Sequence, residues 1–165
     1  MKKKFSLLTV LIVVFTACEK MPVEPFFPNE EDSKETEYPI NIPFTEYSLA
    51  GTSCQWTNYQ GNYDSKEVVI INSNEKLRNY VKCTSESDYP EIDFSKYTLL
   101  LAHGIESHLV IPNYTSLQQL FARSYTMKVN LSPNIASVIT YWQVPIIVSK
   151  IADDSVIELI VTKNH

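Results

Sequence analysis

The sequence predicts an α+β domain dominated by antiparallel β-sheet, with about seven or eight strands in a sandwich or barrel-like arrangement and one short helix near residues 74–82. Three observations lead to this class. Short runs of β-branched apolar residues, such as residues 68–71, have the length of buried strands. Residues 120–131 alternate apolar and polar side chains with the period of two that a half-buried strand requires. The chain also holds ten tyrosines, which favour strands.

The first half of the domain is expected to hold two strands and the helix. Residues 44–49 alternate weakly before a glycine, and residues 67–71 form a short, mostly apolar run. Polar N-cap residues and Glu75 follow, and apolar residues then recur at helical spacing. This pattern predicts the helix over residues 74–82. Residues 84–90 are polar and end at a proline, which indicates a loop.

Six further strands are predicted in the second half of the chain. They are expected at residues 97–102, 106–111, 120–131, 135–143, 145–151 and 156–162. His103 and Gly104 are expected to end the first of them, and Pro112 the second. The apolar face of the third strand is expected to hold Phe121, Tyr125, Met127, Val129 and Leu131. Pro145 indicates an edge strand or a bulge, because proline donates no hydrogen bond to a ladder.

The N-terminus has the pattern of a secretory signal. Three lysines precede an apolar run over residues 5–15, which is too short to span a bilayer. Small residues then precede Cys18, an order that resembles a bacterial lipobox, in which the cysteine carries the lipids. Residues 1–17 are therefore predicted to be a lipoprotein signal peptide, and Cys18 the lipid attachment site.

This signal divides the chain and predicts its location. Residues 18–38 would hold the lipidated cysteine and a flexible tether rich in proline and acidic residues, and residues 39–165 a single globular domain. Acyl chains such as palmitate would then be the membrane contact. The expected location is a bacterial cell envelope, at the outer membrane, on its periplasmic or its surface face. The net charge of −5 argues against a nucleic-acid partner.

The three glycines, Gly51, Gly61 and Gly104, exclude several reaction classes by their spacing. A Walker loop needs two glycines five residues apart, and a dinucleotide fingerprint needs three within six residues. A nucleophile elbow needs two glycines that flank a serine. None of these arrangements exists in the chain, so no cofactor is expected, and the sequence contains no motif that is typical of a particular reaction.

Two groups of chemically active side chains remain as candidates. Cys54 and Cys83 can form a disulfide outside the cytoplasm, and the alternative is two separate buried thiols. His103, Glu106 and His108 lie within one short segment and could converge on zinc, which accepts imidazole and carboxylate ligands. Their spacing matches no metal motif, so hairpin side chains that face water are the favoured interpretation.

Aromatic residues form a further candidate site. Trp56, Tyr59 and Tyr63 cluster in a stretch with several amide side chains, and Trp142 lies on a later strand. Exposed aromatic rings beside amides could stack on a sugar or a peptide. The favoured alternative is packing in the core or on a sheet face.

Two segments carry a resemblance to known proteins. A helix start reading Ser-Asn-Glu-Lys-Leu, residues 73–77, precedes Ile-Asp-Phe-Ser-Lys and an apolar strand, residues 92–101. This phrase is similar to one in small Bacteroidetes-type lipoproteins of unknown function. With the late proline-bearing run at residues 141–145, the order also resembles the C-terminal domain of protease-complex stabilising (PrcB-like) proteins, over roughly residues 68–161. The resemblance implies a fold and a non-enzymatic role, and it implies no active-site residues.

The function predicted from the sequence is a lipid-anchored extracytoplasmic binding or accessory module. It would recruit a protein, a peptide or a glycan and catalyse no reaction. One alternative is a small metal-assisted hydrolase that uses the segment from His103 to His108. The other is a structural component of the envelope.

Overall fold

Ten strands and one short helix form the part of the chain that the computed structural model describes, residues 37–57, 65–85 and 88–163. These residues belong to one unit, Thr36–His165. In chain order the elements are β1 (Ile40–Asn41), β2 (Thr45–Glu46), β3 (Cys54–Trp56), β4 (Glu67–Ile71), α1 (Asn74–Leu77), β5 (Val81–Cys83), β6 (Tyr97–Glu106), β7 (Val110–Phe121), β8 (Ser124–Pro133), β9 (Thr140–Ser149) and β10 (Val156–Lys163). The α+β class dominated by sheet is confirmed, with more strands than the sequence predicts.

Several predictions concern residues outside these ranges. The signal peptide over residues 1–17, the lipid attachment at Cys18 and nearly all of the tether lie there. Tyr59 and Tyr63 also lie outside the described residues. All of these remain predictions.

The described strands form two four-stranded sheets and a two-stranded ribbon. Sheet I has the order β1-β7-β8-β10, sheet II has the order β2-β9-β6-β4, and the ribbon joins β3 to β5. Every pairing is antiparallel except that of β10 with β8, which is parallel. Both sheets keep open edges within the described part of the chain, so they form no closed barrel.

Sheets I and II share the first of two hydrophobic cores. Alternate residues of a strand point to opposite faces, and one set from each sheet meets here. The buried members of this first core are Leu100, Ala102, Val110, Leu117, Tyr125, Met127, Val129, Leu131, Trp142, Val144, Ile146, Val148 and Ile151. Four of the five residues predicted to share the apolar face near residues 120–131 are therefore in the core.

A second core covers the opposite face of sheet II. It is built from the other residues of β4 and β6, together with α1, the ribbon and the loops around them. Its buried members are Leu49, Cys54, Val69, Ile71, Leu77, Val81, Ile92, Leu99 and Leu101. Strand β6 is thus covered on both faces, and all of its residues except Tyr97 are buried. Two-sided burial explains why β6 is a continuous apolar run and not an alternating one.

Strand β6 continues through His103 and Gly104, so the prediction that these residues end it is wrong. Gly104 lies directly opposite Trp142 on β9. A Cβ atom at Gly104 would be 2.8 Å from Cζ2 of the Trp142 ring and 3.0 Å from Cγ of Lys66. The glycine therefore makes room for an indole ring and does not form a turn.

The boundaries of β7 and β8 also differ from the prediction. Strand β7 passes through Pro112, because a register shift between Pro112 and Tyr114 accommodates it. The predicted strand at residues 120–131 contains a turn at Ala122 and Arg123, where the φ angle of Arg123 is 74°. Phe121 consequently ends β7 and is 67% exposed, so its predicted place in the core is wrong.

Helix α1 is shorter than predicted and ends at Leu77, not near residue 82. Ser73 is its N-cap and accepts a hydrogen bond from the backbone N–H of Lys76 at 3.1 Å. Val81 then begins β5, where its side chain reaches the second core. The apolar residues that follow Leu77 at helical spacing therefore do not belong to one helix. Leu77 is buried from α1, and Val81 is buried from β5.

Strand β9 runs without a break through Pro145, which is opposite Leu101 of β6. The carbonyl of Pro145 accepts a hydrogen bond from the N–H of Tyr47 at 3.0 Å, so its backbone groups point away from β6. Strand β2 pairs with Ile146 and Ile147 and ends there. Pro145 thus lies inside sheet II, between β2 and β6 and in an unbroken register with β6, so the predicted edge strand or bulge is wrong. Its missing donor costs no hydrogen bond to β6, because its nitrogen points to the other side, where the pairing with β2 ends.

The ribbon contains a disulfide between Cys54 and Cys83, with an S–S distance of 2.01 Å. The two residues are direct partners in the β3–β5 pairing. Of the two alternatives that the sequence leaves open, the structure contains the bonded pair.

We expect the Gly104→Ala substitution to lower the free energy of unfolding by about 2–3 kcal/mol, because its Cβ would overlap the Trp142 ring inside the core. Urea unfolding of the oxidised protein would measure the loss. Gly51→Ala is the matched control: Gly51 has a φ angle of +82°, but an added Cβ would meet nothing within 4 Å. A cost of about 1 kcal/mol is expected for the control. Equal losses for the two variants would contradict the packing explanation.

Candidate functional site

His103 and Glu106 project from opposite faces of β6. His103 alternates with Leu99 and Leu101, which belong to the second core. Glu106 lies on the same face of β6 as Leu100 and Ala102, which belong to the first core. His108 follows β6 in an exposed turn, where its Nδ1 is 2.9 Å from Oγ of Ser107.

The structure therefore does not bring His103, Glu106 and His108 together. Among the described residues no group of three His, Cys, Asp or Glu side chains could hold a metal ion. The interpretation as hairpin residues facing water is wrong for two of the three: His103 is 2% exposed and Glu106 6%. The sequence did not show their burial, because it depends on both faces of β6 being covered.

Glu106 links the two sheets at one end of the domain. Its Oε1 is 2.7 Å from Nζ of Lys66, which precedes β4 of sheet II, and its Oε2 accepts a hydrogen bond at 2.6 Å from Lys163, at the end of β10 in sheet I. Burial alone would raise the pKa of Glu106, but the two ammonium groups together lower it below the usual value. The carboxylate is thus held ionised and paired, which does not suit a general acid.

His103 lies beside Glu67 on the outer strand of sheet II. The two residues are direct partners in the β4–β6 pairing, with 3.6 Å between Nε2 of His103 and Oε1 of Glu67. Burial lowers the pKa of His103, and the charge of Glu67 opposes that shift only in part. The imidazole is therefore neutral at pH 7 and has the properties of a buried structural side chain.

The two tryptophans have different environments. Trp142 is 2% exposed in the first core, so the favoured interpretation of core packing is confirmed for this residue, and its alternative as part of a ligand site is wrong. Trp56 is only partly buried, and its ring meets that of Tyr47 edge to face, with centroids 6.2 Å apart and an interplanar angle of 74°. Of the predicted aromatic residues that the structure describes, Trp56 alone reaches the surface.

Trp56 lies in a groove that we call the aromatic groove. Its walls are the segment from Tyr47 to Trp56 and the middle of β9, and its volume is about 610 Å³. Gln143 and Pro145 contribute the β9 side. Sequence reasoning found Trp56 but missed Tyr47 and Gln143. Only the fold of sheet II brings these segments together, so no local pattern could have indicated them.

A second groove, of about 620 Å³, lies between α1 and the loop before β6. The guanidinium of Arg78 stacks on the Tyr89 ring at 4.3 Å from its centroid. Asp93 on the same groove donates no proton near neutrality, because hydrogen bonds from Ser95 and then Lys96 lower its pKa to about 2. Arg78 and Asp93 in this groove are therefore already engaged within the domain, with Tyr89 and with Ser95 and Lys96 respectively.

One end of the domain exposes large aliphatic side chains. The loop from β8 to β9 is held to the β6–β7 turn by two backbone hydrogen bonds, one from Leu109 N–H to the Ala136 carbonyl at 3.0 Å and one from Asn134 N–H to the Leu109 carbonyl at 2.7 Å. We define the apolar end as Ile111, Ile135, Val138, Ile139 and Tyr141, whose exposed fractions are 57, 99, 49, 51 and 44%. Residues 135–139 were predicted to be strand, and they are loop.

Comparison with protein-family models, with curated proteins and with solved structures identified no match to the chain. The resemblance to Bacteroidetes-type lipoproteins and to PrcB-like domains therefore remains a prediction. In the described part of the chain, no helix has the length and hydropathy needed to cross a membrane.

We expect Glu106→Gln to lower the free energy of unfolding by about 1–2 kcal/mol at pH 7, because two charged hydrogen bonds between the sheets are lost. The folded pKa of Glu106 is below the unfolded value of about 4.3. Its contribution is therefore complete above that pH and is lost as the pH falls through the folded pKa.

Urea unfolding from pH 3 to pH 7 would test this, and the gap between wild type and variant should narrow below about pH 4. Glu158→Gln, at an exposed position on β10, is the control and should change stability by less than about 0.5 kcal/mol. A constant gap over the whole pH range would show that the loss has another cause.

Proposed function

We propose that the chain is a lipid-anchored binding module of the bacterial cell envelope, attached through Cys18 at the outer membrane, that recruits a partner and catalyses no reaction. The proposal includes membership of the small Bacteroidetes-type lipoproteins that residues 73–77 and 92–101 resemble. The lipid anchor is supported by the order of residues before Cys18, in which basic residues are followed by an apolar run and then by small residues.

The single observation that carries the binding role is the apolar end. Ile135 is 99% exposed, and Val138 and Ile139 are each about half exposed on the same loop. The chain has no charged residue between Lys128 and Lys150, so no charge interrupts this surface along the sequence. Exposure of aliphatic side chains to water is unfavourable, and the free energy falls when a partner covers them. A polypeptide partner suits them better than a glycan, because they offer few hydrogen-bonding groups.

The position of the N-terminal strand supports a partner away from the membrane. β1 pairs with Gln118 and Gln119 near the end of β7, and the Tyr38 ring is 6.3 Å from that of Phe121. Ile111 is at the start of β7, and the strand's 12 residues span roughly 40 Å at about 3.3 Å per residue. A tether that joins at residue 38 would therefore attach to the domain at the end opposite to the apolar end.

The same geometry does not favour the metal-assisted hydrolase. Its three side chains are separated by the faces of β6, and Glu106 is occupied by two lysines. An envelope component with a purely structural role remains the second alternative, and it differs from a recruiting module only in the identity of the partner.

We expect Cys18→Ser to abolish lipid attachment. Cells grown with an alkyne-bearing palmitate analogue should label the wild-type chain and not the variant, and only the wild type should fractionate with outer-membrane vesicles. Cys54→Ser is the control, because it removes a cysteine that the structure places in a disulfide. Equal labelling of wild type and Cys18→Ser would refute the anchor.

A photo-crosslinking amino acid at Ile135 should give a crosslinked protein species in intact cells, because this side chain is almost fully exposed at the apolar end. The same residue at Val156, which is 68% exposed at the start of β10, is the matched control and should give little product. Crosslinks of equal yield at both positions would indicate random collisions. A lack of crosslinks at Ile135, Val138 and Ile139 would refute the proposed binding surface.

A further inference from the structure

The aromatic groove differs from the apolar end in its chemistry. None of the residues that line it is charged, although the groove is open to solvent. Two aromatic rings, Tyr47 and Trp56, and two amides, Gln55 and Gln143, lie on its walls. A groove with no countercharge gives a charged ligand nothing to pair with, so its ligand should be neutral.

The two rings are fixed and keep part of their surface open. Tyr47 and Trp56 both pack against the second core, and their edge-to-face contact holds each ring against the other. Burial raises the pKa of Tyr47, so its hydroxyl remains protonated and can donate a hydrogen bond. Polarised C–H groups, such as those on one face of a sugar ring, suit the electron-rich faces of aromatic rings.

Polar groups without charge surround these rings. Gln55 is exposed, and the amide nitrogen of Gln143 is 3.4 Å from the carbonyl of Thr57, which is a long and weak contact. Each amide has both donors and an acceptor, which matches hydroxyl groups that also donate and accept.

The groove is preorganised. Cys54 on its wall is joined by the disulfide to β5, and β9 is a paired strand of sheet II. Gly51 is at the rim, where a Cβ would meet nothing within 4 Å. A rigid wall lowers the entropic cost of binding, and the volume of about 610 Å³ lies in the usual range of ligand sites.

An extended peptide suits the groove less well than a saccharide does. The carbonyl of Pro145 is already bonded to the N–H of Tyr47, and proline has no N–H of its own. At this position the β9 wall therefore has no free pair of backbone groups with which a peptide strand could form a ladder.

We propose that the aromatic groove binds a neutral saccharide of a few sugar units, whose rings stack on Trp56 and Tyr47 and whose hydroxyls bond to Gln55 and Gln143. This site adjoins the apolar end on β9, where Tyr141 and Gln143 are alternate residues of one face, but its ligand does not depend on the partner recruited by the aliphatic loop. The chain would then hold a glycan on one surface and a polypeptide on another.

Titration of the full chain with a defined panel of neutral trisaccharides tests the proposal. The panel contains maltotriose, cellotriose, xylotriose, mannotriose and triacetylchitotriose, with trigalacturonate as the charged comparison and the peptide Gly-Val-Tyr-Val-Gly as the peptide comparison. Calorimetry should show at least one neutral saccharide with a Kd below about 1 mM and no binding of the other two probes. The bound sugar should also protect Trp56 from acrylamide quenching, since the chain's other tryptophan, Trp142, is buried.

Variants identify the binding surface. Trp56→Leu keeps an apolar side chain against the second core but removes the aromatic face, and should raise the Kd at least tenfold. Trp56→Phe should have a smaller effect, and Gln143→Ala should raise the Kd about fivefold, in line with the loss of one hydrogen bond. Tyr114→Ala is the matched control, because Tyr114 is an aromatic residue that is 63% exposed outside the groove.

Each other outcome overturns the proposal. The inference is wrong if no neutral saccharide in the panel binds, or if the bound one is unaffected by both Trp56→Leu and Gln143→Ala. It is also wrong if the peptide binds at the groove and the sugars do not. Circular dichroism and urea unfolding of each variant would show whether a lost signal comes from lost structure, and Gln143→Ala, at a half-buried surface position, keeps the test decisive if Trp56→Leu fails to fold.

Discussion

Burial of β6 on both faces is the constraint on which the rest of the structure depends. One set of its side chains forms the core between the sheets, and the other set forms the core beneath α1 and the ribbon. Every polar or small residue on β6 must therefore be matched by a neighbour. Thr98 donates to Asn72 and accepts from the N–H of Ile151, and Gly104 receives the ring of Trp142. Glu106 receives two lysines.

This constraint also determines where binding can occur. All residues of β6 except Tyr97 are buried, and both Glu106 and His103 already have charged neighbours inside the domain. The two surfaces proposed for binding are the segment between β2 and β3, with its aromatic rings, and the loop from β8 to β9, with its exposed aliphatic side chains. Both are connections carried on a rigid scaffold, which is the usual arrangement for recognition sites. The side chains of the two surfaces differ: the groove offers aromatic rings and amides without charge, and the loop offers aliphatic groups.

Features of this fold that depend on neighbouring residues can be predicted from the sequence, but features that depend on contacts between distant segments cannot. Tyr125 and Met127 are in the core because a half-buried strand needs alternation, whereas Pro145 lies on the interior strand β9 and not at the predicted edge. The turn at Arg123 was missed because Phe121 is in phase with Tyr125, although Ala122 and Arg123 between them interrupt the alternation. The role of Gly104 was hidden as well, since it depends on a tryptophan 38 positions away.

The candidate site was predictable only in part, for the same reason. Trp56 stands out in the sequence as an aromatic residue among amides, but Tyr47 and Gln143 join it only after sheet II has formed. Likewise, His103 and Glu106 must lie on opposite faces of β6, because successive residues of a strand alternate between its faces. This conclusion requires knowing that β6 extends to Glu106. Treating Gly104 as a turn residue shortened the strand and made a convergent metal site plausible.

The pairing of β10 with β8 has a consequence for how the protein is made. β8 is synthesised before the loop, β9 and the final turn, yet its outer edge is completed only by β10, which also delivers Lys163 to Glu106. Sheet II likewise waits for β9 on one side of β6. Neither sheet can be finished on the ribosome until nearly all described residues have been translated. A chain that lacks its last strand would leave the outer edge of β8 unpaired and would lose one of the two cations that neutralise Glu106.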